Sequence, residues 1–296
     1  MTDVWQKCIS SSGTIRGVAI RCTDLARDLA DKHELTGENA RAFAEALVGG
    51  FILSSYTKEG ERMNLNIKGD GWVKQALVDA YADGTIRGYL VPNPAQPSTG
   101  VTFDFSNEGP WGKGLLSVLR KRDDQVGAEP YIGTVPLLTG HLAKDLAFYW
   151  LQSEQVPSAV GISVNLDWEG RVASAGGFIV QAMPGATDEE IAGIEARVVS
   201  MTDLAKEVSI DRDPVHILSQ IFQDMAFVIL EKKQLKAQCR CSWDRVRRAL
   251  VLIGPDELQS ILDDIGEASV KCEFCTTDYK ADRAELEKLI AETKAD

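Results

Sequence analysis

The stretch Cys239-Arg240-Cys241 is followed, after the segment 242–271, by Cys272-Glu273-Phe274-Cys275. Two close cysteine pairs separated by a small folded insert are the arrangement that a tetrahedral Zn²⁺ site requires. Each pair supplies two thiolates from one bend of the chain, and the insert brings the pairs together. Because no histidine follows His216, the predicted site is all cysteine. We therefore expect one zinc ion per chain, bound by Cys239, Cys241, Cys272 and Cys275.

The residues around these cysteines predict a C-terminal zinc domain over 237–296. Helical patterns at 244–253 and 281–291 flank an alternating strand pattern at 268–274. A unit of roughly 60 residues buries only about 60% of its unfolded surface and is marginal alone. Structural zinc contributes about 10–16 kcal/mol in small domains. We therefore expect metal loss to unfold this domain.

Residues 1–184 mix strand and helix patterns. Strand-like alternation occurs at 62–68 and again at 101–105, whereas 39–53 reads as a buried helix. The elements do not follow the regular strand–helix–strand alternation of a doubly wound sheet. The predicted fold class is therefore α+β, with a large N-terminal domain of mixed sheet and helix over 1–184.

Residues 185–236, called the connector below, are predicted to form a metastable helical linker. Thr187 and Glu190 have the spacing of a capping box, and Asp213-Pro214 can open a second helix. Apolar residues at helical spacing, such as Leu218 and Phe222, give these helices apolar faces. Such faces must be covered by the first domain or by a partner.

Composition narrows the class of protein. The chain has 296 residues and a net charge of −12, an acidic balance that repels nucleic acid and anionic lipid. The chain starts with polar residues and has no apolar run near the roughly 20 residues of a membrane span. We therefore expect a cytoplasmic protein with no membrane or nucleic-acid partner, whose cysteines are normally reduced.

Cysteine spacing alone leaves several functions open. It favours a permanently structural zinc ribbon, although each pair could oxidise internally once the metal is lost. A zinc ribbon that binds nucleic acid or the translation machinery would need a basic face, for which Arg245, Arg247 and Arg248 are candidates. A thiol–disulfide oxidoreductase could use Cys272 and Cys275, but such a pair usually opens a helix, and this one follows a strand pattern.

Motifs along almost the whole chain resemble those of the redox-regulated 33 kDa heat-shock chaperone family. The two cysteine pairs and their spacer match its signature. Further matches are Gly69-Asp70-Gly71, Tyr149 with the segment 153–158 (Ser-Glu-Gln-Val-Pro-Ser), and Ala175-Gly176-Gly177 before the segment 181–184 (Gln-Ala-Met-Pro). These motifs are more specific than the cysteines alone.

The resemblance implies an ATP-independent holdase chaperone for the stress response, not an enzyme. In the reduced form the four cysteines bind zinc and the chaperone is inactive. Oxidation with heat pairs Cys239 with Cys241 and Cys272 with Cys275, the zinc domain unfolds, and the connector loosens. The exposed apolar surface then holds unfolding client proteins, and oxidised chains tend to form homodimers. The absence of a Walker-type phosphate loop from the sequence agrees with this expectation.

Three residues depart from the family pattern or lie outside it. Thr276 stands where the family often has glycine after the last cysteine. Cys8 and Cys22 have no place in the motif. Cys22 is expected to be a buried structural thiol, whereas Cys8 could be exposed near the start of the chain.

Overall fold

The computed structural model describes residues 2–94, 109–122, 129–201, 203–209 and 213–295. The chain divides into two compact units, Met1–Gln238 and Cys239–Asp296. Both units contain helices and antiparallel sheet, which confirms the α+β class. The strand predicted at 101–105 lies outside the described residues. Among the helices of the described ranges, none combines the length and hydropathy needed to cross a bilayer.

The described residues between 4 and 182 form nine strands and three α-helices. Their bounds are β1 (Val4–Ser10), β2 (Ile15–Arg21), α1 (Thr23–Lys32), α2 (Gly37–Ser54), β3 (Glu61–Gly69), β4 (Val73–Tyr81), β5 (Thr85–Pro92), β6 (Gly114–Arg122), β7 (Tyr131–Pro136), α3 (Leu142–Tyr149), β8 (Ser158–Leu166) and β9 (Val172–Ala182). The connector adds α4 (Asp188–Ser200), α5 (Leu204–Ser209), α6 (Val215–Phe222) and β10 (Phe227–Gln234), and β11 (Lys236–Ala237) follows.

The strands form one sheet of five and one of six. The five-stranded sheet has the order β10-β1-β2-β9-β8, and the six-stranded sheet has the order β11-β5-β4-β3-β6-β7. Helix α2 packs against strands of both sheets and is buried along most of its length, as its continuous apolar sequence predicts. Gly50 allows this close packing, because a Cβ there would lie 2.6 Å from Val78 Cγ1.

The connector covers the second face of the five-stranded sheet, called the outer face below. Side chains of β2 alternate between the faces: Val18 and Ile20 join the main core, whereas Ile15 and Ala19 join a separate outer cluster. The members of this outer cluster are Cys8, Ile15, Ala19, Phe178, Val180, Ile194, Val208, Ile217, Leu218, Ile221 and Phe222. The apolar faces of the connector helices are therefore covered by the first domain's own sheet.

Polar contacts hold the first helix of the connector and the start of α6 against the sheet. The capping box at Thr187 and Glu190 forms as expected, and Glu190 Oε1 also accepts hydrogen bonds from Ser12 (2.9 Å) and Thr14 (2.8 Å) in the β1–β2 turn. Asp213 accepts a hydrogen bond from Gln6 of β1 and pairs with Lys232 of β10. These contacts hold the connector on the strands that it covers.

The connector is not helical throughout, contrary to the prediction for 185–236. Phe227–Gln234 is a strand that pairs antiparallel with β1. The segment is rich in apolar and β-branched residues, such as Val228 and Ile229, and β1 offers it a free edge whose backbone groups need partners. This long-range pairing is not visible in local helical spacing.

The second unit consists of three helices and a hairpin. They are α7 (Trp243–Val251), α8 (Pro255–Asp264), β12 (Ala268–Lys271), β13 (Asp278–Ala281) and α9 (Arg283–Ala295). Ser242 caps α7 by accepting a hydrogen bond from the backbone N–H of Arg245. One small buried cluster, Val246, Leu250, Leu258, Leu262, Ala281, Leu286, Leu289 and Ile290, forms its core.

Candidate metal centre

The four predicted ligands converge at one end of the hairpin in the second unit. Cys239 and Cys241 lie in the non-helical segment that precedes α7, and Cys272 and Cys275 lie in the turn between β12 and β13. All four Sγ atoms lie within 4.8 Å of one another. The strand predicted over 268–274 ends at Lys271, because the chain turns at this point to present the second cysteine pair.

The sulfur separations fit a tetrahedral metal site. Zinc–sulfur bonds of about 2.3 Å place the sulfurs of a tetrahedral site roughly 3.8 Å apart. The Sγ atoms of Cys239 and Cys272 are 3.7 Å apart, and those of Cys241 and Cys275 are 3.4 Å apart. Both short distances join one pair to the other, so the metal-sized arrangement depends on the fold of the whole unit.

The turn that carries the second pair is closed by backbone hydrogen bonds. The N–H of Thr276 donates to the carbonyl of Cys272 at 2.8 Å, and the N–H of Cys272 donates to the carbonyl of Thr277 at 2.9 Å. Thr276 itself has a φ of +57°, a left-handed conformation that is costly for a β-branched residue. The glycine that the family often places here has no such cost.

The thiols experience different electrostatic environments in the metal-free site. Burial raises the pKa of Cys241 to about 12, although the Tyr279 hydroxyl donates to its sulfur at 3.0 Å and opposes this rise. For Cys275, burial is outweighed by hydrogen bonds from the hydroxyl and backbone of Thr277, and the pKa falls to about 6. Thiolate character in the free site therefore centres on Cys275.

Tyr279 connects the cysteines to the core of the second unit. Its hydroxyl contacts Cys241, and its ring stacks on Trp243 with 6.1 Å between centroids. Sequence analysis did not select Tyr279, because an aromatic residue in a short strand carries no signal of a metal-site contact. Its position means that the small hydrophobic core and the metal site support each other.

The remaining cysteines lie apart from this site. Cys22 is buried in the main core of the first unit, as expected. Cys8 is also buried, contrary to the exposed position considered for it, because β1 directs it into the outer cluster beneath α6. Burial raises the pKa of the Cys8 thiol to about 12, so the covered thiol is unreactive.

Two features of this geometry count against the competing functions. Among the candidates for a basic face, Arg247 is paired with Glu285 at 2.8 Å and with Glu292 at 3.0 Å, which neutralises it. Cys272 and Cys275 lie between two strands, so they lack the helix N-terminus that lowers the thiol pKa in oxidoreductases.

Comparison with known proteins gives matches over nearly the whole chain. The family model described as Hsp33 protein matches residues 3–282. The 33 kDa chaperonin of Geobacter sulfurreducens is 40% identical over 290 residues, covering 98% of this chain and 95% of that protein. That of Geobacillus kaustophilus is 33% identical, with 98% of each chain covered.

A solved structure agrees with the fold. The crystal structure of the 33 kDa chaperonin (heat shock protein 33 homolog) of Thermotoga maritima superposes with a TM-score of 0.88 at 27% identity and covers 100% of both chains. The chain therefore belongs to the Hsp33 family, a family of chaperones and not of enzymes.

Proposed function

We propose that this protein is a redox-regulated, ATP-independent holdase that is inactive when reduced and metal-bound. One observation carries the proposal: the connector that seals the apolar outer cluster is followed directly in the chain by the cysteine site. A change of state at the four sulfurs can therefore reach the segment that covers apolar surface.

Zinc is the metal that fits this donor set best. Four sulfur ligands in a tetrahedral arrangement are typical of structural zinc, and the described His, Cys, Asp and Glu residues that cluster here are all cysteines, with none of the carboxylates that a hard cation prefers. One zinc ion per chain, bound by Cys239, Cys241, Cys272 and Cys275, would contribute about 10–16 kcal/mol to folding. That contribution would dominate the stability of the second unit, whose buried cluster is small.

Oxidation would remove the sulfur donors. Formation of the Cys239–Cys241 and Cys272–Cys275 disulfides releases four electrons and four protons. Two molecules of hydrogen peroxide take up these electrons and protons and are reduced to four molecules of water. The reduced geometry does not select this pairing, since the short sulfur distances are those between the pairs. The proposed pairing rests on the family resemblance, and peptide mapping of the oxidised chain tests it.

Release of the connector would create the client-binding surface. When α4–α6 leave the sheet, the apolar residues of α6 and those of the outer face are both exposed. Such surface binds apolar segments of unfolding proteins without ATP, and it also favours homodimers of the oxidised chain. We further propose a cytoplasmic location, where the reducing environment keeps the four thiols available for metal.

Aggregation of a thermally unfolding client tests this function. The reduced, zinc-loaded chain should fail to suppress citrate synthase aggregation. After warm peroxide treatment it should release one zinc per chain and suppress aggregation without ATP. The Cys8→Ser/Cys22→Ser double variant is the matched control and should switch normally. Equal suppression before and after oxidation would contradict a redox switch, even if zinc is released.

Cys8 is a built-in reporter of connector release. Its sulfur lies in the outer cluster, whereas Cys22 is buried in the main core. In a chain with the four metal-site cysteines oxidised, a maleimide should label Cys8 and leave Cys22 unlabelled until global unfolding. Protection of both thiols in active, oxidised protein would show that clients bind elsewhere.

A further inference from the structure

A polar cavity lies where the two sheets of the first unit meet, away from the outer cluster. It has a volume of about 230 Å³. The five-stranded sheet contributes Arg16 and Gln181, and the six-stranded sheet contributes Met63 and Arg120. The other lining residues come from the end of α2 and from the segment after α3: Leu53, Tyr56, Thr57, Tyr149, Trp150, Glu154 and Val156.

Arg16 is held in this cavity without a counter-ion among the described residues. Its Nε donates to Gln181 Oε1 at 3.0 Å, and its guanidinium carbon lies 3.9 Å from the centroid of the Tyr56 ring. These contacts orient the guanidinium plane but leave its terminal N–H groups without a carboxylate. A half-buried arginine fixed in this way is prepared to bind an acceptor from outside the chain.

Two further donors in the lining are unsatisfied. The hydroxyl of Tyr56 and Nε of Arg120 are buried and have no hydrogen-bond partner in the described part of the chain. A buried polar group without a partner destabilises the folded state. The unsatisfied groups are Nε of Arg120, the Tyr56 hydroxyl and the terminal N–H groups of Arg16. All of them can donate, so one acceptor from outside the chain can satisfy them together.

The charge of the lining also favours an anion. Arg120 contacts Glu154 at 3.4 Å, and Glu154 in turn accepts a hydrogen bond from Tyr149 at 3.0 Å. The lining therefore contains two guanidinium groups and one carboxylate. This local positive charge lies in a chain whose net charge is −12.

The backbone beside the cavity is irregular. Trp150–Glu154 is a single π-helical turn, and Gln155 after it has a φ of +56°. Such turns and left-handed residues are costly and occur often at functional sites. This segment belongs to the 149–158 motif, to which the proposed redox switch assigns no role.

We propose that this cavity binds a compact oxyanion, a phosphate or carboxylate group, between Arg16, Arg120 and the Tyr56 hydroxyl. The anion satisfies the orphaned donors and connects β2 of one sheet to β6 of the other. A volume of about 230 Å³ accommodates such a group with a few waters, each of which takes roughly 30 Å³. Binding therefore stabilises the first unit independently of the metal site.

Calorimetric titration of the full-length, reduced and zinc-loaded chain tests the site. Sodium phosphate and sodium acetate are the probes, and sodium chloride at equal ionic strength is the reference. We expect one oxyanion per chain and a melting temperature that rises with its concentration. The probe that binds more tightly identifies the preferred group. If neither binds more tightly than chloride, the proposal is wrong.

Two variants separate binding from a structural role. Arg16→Gln should weaken oxyanion affinity at least about tenfold, since hydrogen bonds to charged groups contribute about 1.5–3 kcal/mol. Tyr56→Phe should leave the melting temperature in chloride unchanged or raised, because it deletes an unpartnered hydroxyl, and yet it should reduce oxyanion binding. Arg171→Gln, which removes a surface arginine paired with Asp167 and Glu169, is the control and should bind normally. Wild-type affinity in both cavity variants would overturn the assignment.

Discussion

At position 276 a threonine occupies a left-handed backbone conformation with a φ of +57°. This conformation costs a residue with a side chain about 1–2 kcal/mol of conformational free energy, a cost that glycine does not have. The residue follows Cys275 directly, so its strain is stored in the turn that presents two of the four sulfurs. The departure from the family pattern at this residue thus acts against metal binding.

Thr276→Gly should therefore tighten zinc binding. We expect a gain of about 1 kcal/mol, or roughly fivefold in affinity, after allowing for the greater freedom of glycine in the unfolded chain. Competition with a chromogenic chelator measures it. Thr276→Ala keeps the strain and serves as control. Equal affinity of the glycine and alanine variants would show that the strain does not matter.

Glu45 of α2 is half-buried, and its carboxyl lies against the fully buried Trp111. Burial raises its pKa from the usual 4.5 to about 7, although a hydrogen bond from Trp111 Nε1 at 3.4 Å opposes the rise. The unfolded chain ionises this group as the pH passes 4.5, whereas the folded chain retains the proton until about 7. Unfolding therefore releases a proton in this window, and stability falls as the pH rises through it.

Glu45→Gln should remove that fall. Above pH 7 the free energy of unfolding of the variant should exceed that of the wild type by on the order of 3 kcal/mol. Below pH 4.5 the two free energies should be most similar. Urea unfolding followed by tryptophan fluorescence from pH 4 to pH 8 measures the difference. Glu59→Gln, at an exposed position, should follow the wild-type profile. Parallel profiles for the two variants would refute the role of Glu45.

Among the secondary-structure elements, β2 and α6 lie in close contact at Gly17. A Cβ on Gly17 would lie 3.0 Å from Phe222 Cε2, 3.1 Å from Leu218 Cδ2 and 3.2 Å from Cys8 Sγ. The absence of a side chain at position 17 therefore lets the helix lie directly on the strand. Any larger residue must displace the helix or the strand.

Gly17→Val should release the connector without touching the cysteines. Its methyl groups overlap α6, while a β-branched residue suits the strand itself. We expect the reduced variant to retain one zinc and to suppress citrate synthase aggregation without oxidant. Lys68→Val adds an apolar residue at an exposed position of β3 and should remain inactive. An inactive Gly17→Val protein with Cys8 labelled would separate connector release from client binding.

Sequence patterns predicted some elements better than others. The helices at Thr187 and Asp213 were correctly predicted because capping residues and apolar spacing are local signals. The strand at Phe227–Gln234 was missed because its partner, β1, lies at the other end of the chain. Tyr279 and the cavity around Arg16 were also missed, since each depends on side chains that only the tertiary fold brings together.

On the scale of the whole molecule, the two units differ in how they are stabilised. The first unit has a large main core and an outer cluster, whereas the second has a single small cluster and the cysteine site. The four metal-site cysteines were predictable from sequence because two close cysteine pairs separated by a short insert are typical of a zinc site. Stability of the second unit should therefore depend on the metal, and that of the first should not.

Removal of zinc from the reduced chain should unfold the second unit selectively. Hydrogen exchange measured by mass spectrometry should show loss of protection in α7 and α9 after chelation, while α2 stays protected. Cys239→Ser should give the same pattern without chelator, because three sulfurs and a hydroxyl bind zinc far more weakly. Persistent protection of α7 and α9 in either case would contradict metal-dependent folding.

The residues just before Cys239 are tied to the body of the first unit. Leu235 donates its backbone N–H to Asp3, Lys236 donates to Gly84, and Gln238 donates to Ile86. Unfolding that starts in the second unit must break these three hydrogen bonds before it can spread to β10 or the connector helices. In the proposed switch, oxidant sensing and surface exposure would therefore be consecutive steps with separate barriers. A brief oxidant pulse at low temperature should then release the metal while the outer cluster stays covered.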